Sequence, residues 1–68
     1  MNAGTLRQLW TVVEDTQPPL LLMLNDTDLI KQLLSQLQNR YMLTGEEVQM
    51  ANVYLRDRLS LIRDMAQA

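Results

Sequence analysis

The chain has 68 residues, no cysteine, no histidine, a single tryptophan and a net charge of −2. A chain this short makes one domain with a marginal core, because it buries only about 60% of the surface its unfolded form exposes. Disulfide staples, thiolate or imidazole catalysis and cysteine- or histidine-ligated zinc are excluded, so stability has to come from well-packed helices or from a partner.

In chain order, Thr5 is a candidate cap for a first helix over residues 5–16. Leu6, Leu9, Trp10 and Val13 recur there at the spacing of one helix face, with Val12 off it. Glu14 and Asp15 near the end oppose the helix dipole, so this helix should depend on tertiary contacts. Trp10 is expected to anchor the core and to need an acceptor for its indole N–H; the alternative is an exposed anchor for a partner.

Gln17-Pro18-Pro19 ends that helix, since proline lacks the amide hydrogen and pushes the preceding residue towards extended geometry. Pro19 suits the first position of an extra helical turn near 19–24. Leu20 to Leu24 are apolar all round, so this turn should be buried or set against a partner. A strand would be equally apolar, but nothing else in the chain reads as a strand to pair with it. Asn25, Asp26 and Thr27 are candidate caps for the next helix, over about 28–41. It carries Leu29, Ile30, Leu33, Leu34, Leu37 and Tyr41 on one side. The acidic pair at its start lacks the glycine and the closing glutamate of a calcium-binding loop.

Thr44 followed three residues later by Glu47 is a capping box, and it opens a long helix over about 45–66. Val48, Ala51, Leu55, Leu59, Ile62 and Ala66 form one apolar stripe on it; Met50, Tyr54, Leu61 and Met65 form a second beside it. Together they cover about half the circumference, wider than the ~100° usual for a surface helix. Arg58 projects between the stripes, either with its stem over the core or as an interface arginine. The Arg-Asp pairs at 56–57 and 63–64 read as a mixed-sign solvated strip.

The expected fold is therefore all-α: a small bundle of three main helices with one extra turn, in a single domain over 1–68. The short Met42-Leu43 connection makes the last two helices an antiparallel αα-hairpin. At 1.5 Å per residue the last helix spans roughly 33 Å, its hairpin partner roughly 21 Å and the first helix roughly 18 Å. The shorter pieces cover one apolar stripe of the long helix more easily than both, so the second is expected to meet another chain.

The function expected is a small protein–protein interaction or assembly module without catalytic activity, self-associating as a homodimer or serving a larger assembly. Met50, Tyr54, Arg58, Leu61 and Met65 are its candidate partner-binding residues. No catalytic, cofactor or metal constellation is expected: Ser35 and Ser60 lie outside any nucleophile elbow, and two glycines build no phosphate loop. The alternative is a helix-turn-helix-like nucleic-acid-binding regulator, which the acidic balance and the single lysine oppose. A carrier of hydrophobic ligands ranks below both, because helices this short enclose little volume. Apolar runs stop far short of the ~20 residues that cross a bilayer, and the start carries no leader pattern, so a cytoplasmic protein is expected.

Overall fold

The computed structural model describes residues 2–67, and they form four helices: α1 (Ala3–Asp15), α2 (Pro18–Met23), α3 (Asp26–Arg40) and α4 (Gly45–Gln67). The three main helices, the extra turn and the hairpin all follow the sequence pattern. α4 runs unbroken through Tyr54.

The helix starts show what local chemistry decides. Asn2, not Thr5, caps α1: its side-chain oxygen accepts from the Thr5 amide at 2.8 Å, so the helix begins at Ala3. Asparagine is at least as good a cap as threonine, and capturing the amide three residues on moves Thr5 into the first turn. Pro18, not Pro19, takes the first position of α2 behind an extended Gln17. α3 starts at Asp26, two residues ahead of the expected start at 28, because Asn25 captures the Asp28 amide at 2.8 Å. The capping box of α4 closes in both directions: Thr44 N–H donates to Glu47 Oε1 at 3.0 Å, and Glu47 N–H to Thr44 Oγ1 at 3.1 Å.

Leu9, Val12 and Val13 of α1, Leu21 of α2, Leu29, Ile30, Leu33 and Leu37 of α3, and Ala51, Leu55, Leu59 and Ile62 of α4 make one buried core. Val12 lies off the expected face of α1 yet is buried, because α1 packs on both α3 and α4 and needs a wider apolar face. α3 and α4 are antiparallel, with Asp26 at the start of α3 paired to Arg63 near the end of α4. α1 runs along α4 in the same sense: Thr5 reaches Glu47, and Trp10 reaches Tyr54. An exposed ion pair of 2.6 Å between Asp15 and Arg40 ties the ends of α1 and α3. The molecule measures 30 × 20 × 19 Å.

α2 matches its sequence only in part. Leu21 alone is buried, while Leu20, Leu22 and Met23 face outward. One helical turn against α4 covers one side of itself, which leaves the rest of an all-apolar run at the surface.

Candidate interaction surface

The two stripes of α4 part company in the fold. Ala51, Leu55, Leu59 and Ile62 are sealed against the other helices. Met50, Leu61 and Met65 keep 40%, 47% and 48% of their surface exposed. Val53, which belongs to neither stripe of the sequence pattern, is 61% exposed on the open side of Met50. Gln49, Met50, Val53, Tyr54 and Asp57 line an open groove of about 460 Å³ along this face.

Tyr54 is the fixed point of the surface. The indole N–H of Trp10 donates to its hydroxyl at 3.0 Å, which supplies the acceptor that a half-buried tryptophan needs. The two rings meet edge-on, with centroids 6.2 Å apart and planes at 86°. The Arg58 guanidinium lies 5.2 Å from the Tyr54 ring centre. Trp10, Tyr54 and Arg58 thus form one stack running from α1 to the surface of α4. Such an edge contact adds about 0.5–1.5 kcal/mol, and an exposed cation over a ring about 0.5–1 kcal/mol. Arg58 therefore stands over an aromatic ring at the surface, and Trp10 sits half-buried at the margin of the core.

All five candidate partner-binding residues lie on one helix and one side of it; Tyr54 is half-buried and the other four exposed. Sequence spacing misses Val53, and it misplaces Arg63. Arg63 does not belong to a solvated strip. Its guanidinium donates to the Leu21 carbonyl at 3.1 Å, the Leu22 carbonyl at 3.5 Å, the Leu24 carbonyl at 2.9 Å and Asp26 Oδ1 at 2.9 Å. These carbonyls end α2, where a helix leaves acceptors without intrahelical donors. Arg63 is thus the cap that the sequence of α2 lacks, and it locks the α2–α3 turn onto α4. Its seat on α4 beside the core-facing Leu59 hints at this, but no sequence signal names the carbonyls.

Thr5 and Glu47 were also not paired by sequence. The Thr5 hydroxyl, buried at the start of α1, donates to Glu47 Oε2 at 3.1 Å. The Thr44 amide, followed by the Thr5 hydroxyl, holds the Glu47 carboxyl below its ordinary pKa. One carboxylate therefore starts α4 and clasps α1.

Arg63 is turned inward, Arg58 stands over Tyr54, and Arg56 donates from Nε to Asn52 at 3.1 Å. Among the described residues, no three acidic side chains converge to hold a metal ion, and no helix is long and apolar enough to cross a membrane. No family model, curated protein or solved structure matches the chain.

Proposed function

We propose that the protein is a small helical interaction module that self-associates through the exposed stripe of α4. Met50, Tyr54, Arg58, Leu61 and Met65 carry the contact, and Val53 extends it. The supporting observation is the contrast within one helix: a sealed apolar row lies beside a half-exposed one, with an aromatic and an arginine held ready between them. Tyrosine, tryptophan and arginine are the side chains enriched where interfaces concentrate their energy. Methionine adds an adaptable apolar surface around them.

Size-exclusion chromatography with light scattering tests this directly. The expected result is a mass that rises above the 7.9 kDa of one chain as concentration increases. Leu61→Asp should return it to the single-chain value. A monomer at every concentration, with a thermal midpoint independent of concentration, would overturn self-association.

A further inference from the structure

We infer that the occupant of the α4 stripe is a second copy of this chain whose α4 runs parallel to the first. This rests on the self-association proposed above and adds its geometry.

Two charges set the direction. Tyr54 and Leu61 are seven residues apart (61 − 54 = 7), so they lie nearly on one line along α4. Asp57 follows Tyr54 by three residues and Arg58 by four. The two charges therefore stand at almost the same height on opposite sides of that line, about 100° apart. Both are exposed. The Arg58 guanidinium is held over the Tyr54 ring at 5.2 Å. Asp57 borders the open groove with Met50 and Val53. Among the described residues it makes no side-chain hydrogen bond or ion pair.

Two-fold symmetry separates the possible pairings. In a parallel pair the axis runs along the helices and exchanges the flanks of the seam. Each Asp57 then faces the partner's Arg58, twice per dimer. In an antiparallel pair the axis crosses the helices and keeps each flank on its own side. With that axis at the middle of the seam, between Tyr54 and Leu61, Asp57 then meets Asp57, and Arg58 meets Arg58. Like charges opposed across an interface are disfavoured, whereas complementary ones fix the register. The apolar seam accepts the parallel arrangement: Tyr54 and Leu61 meet their own counterparts at the centre, with the pliable Met50 and Met65 towards the ends.

The seam is narrow. A standard interface takes about 800 Å² from each partner, close to a fifth of the 4511 Å² this chain exposes. One helix face supplies only part of that, so the dimer should be weak and its population should depend on concentration.

Because the native chain has no cysteine, introduced thiols report alone. Met50→Cys and Leu61→Cys, each prepared singly and treated with a short bis-maleimide, should both give covalent homodimers. The positions are 11 residues apart (61 − 50 = 11), roughly 16 Å along α4. In any antiparallel seam at least one of the two like pairs would therefore stand about 16 Å or more apart. A homodimer from only one variant would overturn the parallel orientation and leave self-association standing. Cross-linking in neither, with a single-chain mass throughout, would overturn both. The charges give a second readout. Asp57→Arg, an exposed change, should weaken the dimer about tenfold by turning two attractions into repulsions. Mixing it with Arg58→Asp should restore affinity. An unchanged dissociation constant in Asp57→Arg would overturn the pairing of these charges.

Discussion

The inner and outer faces of α4 are built from similar residues and put to opposite uses. The inner face spends Leu55 and Ile62 on the core and Arg63 on the end of α2. The outer face holds Leu61, Met65 and Arg58 at the surface, with Arg58 supported by an aromatic ring and not by a carbonyl. Neighbouring positions on one helix can thus differ completely in role. What separates them is which shorter helices lie alongside, not hydrophobicity or charge.

The strongest way to break this contrast is to open the inner face. Leu55→Ala removes a side chain only 1% exposed and should cost about 2–5 kcal/mol in urea unfolding. The loss should be the same at every protein concentration. Next comes Arg63→Ala, which leaves the carbonyls of Leu21 and Leu24 without their donor. A cost of about 1.5–3 kcal/mol is expected for a charge-assisted clamp. Arg63→Lys should recover little of it, because a point ammonium cannot span acceptors that the planar fork bridges. On the outer face the ledger reverses. Leu61→Asp should change single-chain stability by no more than about 0.5 kcal/mol, while removing any dependence of the thermal midpoint on concentration. An equal loss from Leu55→Ala and Leu61→Asp at low concentration would erase the distinction between the faces.

The smallest expected effect is that of pH. The Glu47 carboxyl is held below its ordinary pKa by the Thr44 amide and the Thr5 hydroxyl. A group depressed in the folded state stabilises above its unfolded pKa, and the gain disappears as pH falls through the folded one. Stability should therefore decline on acidification from the ordinary glutamate range downward. Glu47→Gln should be less stable at neutral pH and should flatten that part of the profile, as followed by thermal melts between neutral and acid pH.

Much of this architecture was legible in the sequence, and the reasons are local. The Thr44–Glu47 box and the Gln17-Pro18-Pro19 stop are short-range chemistry in which spacing dictates geometry, while for α3 spacing leaves Asn25, Asp26 and Thr27 open and Asn25 proves to be the cap. The two stripes of α4 were legible because a helical period assigns faces without reference to partners. What spacing could not assign were contacts between distant parts of the chain. Thr5 meets Glu47 across 42 residues and Arg63 meets Leu21 across 42, and neither side chain signals its partner in sequence. Val12 escapes a one-face pattern for a related cause: a helix wedged between two others buries more than one stripe. At the start of α1, Asn2 and Thr5 are both cap-forming residues, and only the fold shows that Asn2 takes the role.

Trp10 gives the molecule an optical consequence. It is the chain's only tryptophan, and its indole nitrogen is tied to the hydroxyl at the centre of the α4 stripe. Intrinsic emission from this protein therefore comes from one place, with tyrosines as the only other source. A partner that covers Tyr54 should alter the surroundings of that single chromophore. Occupancy becomes a label-free spectroscopic signal, readable by simple dilution in a cuvette.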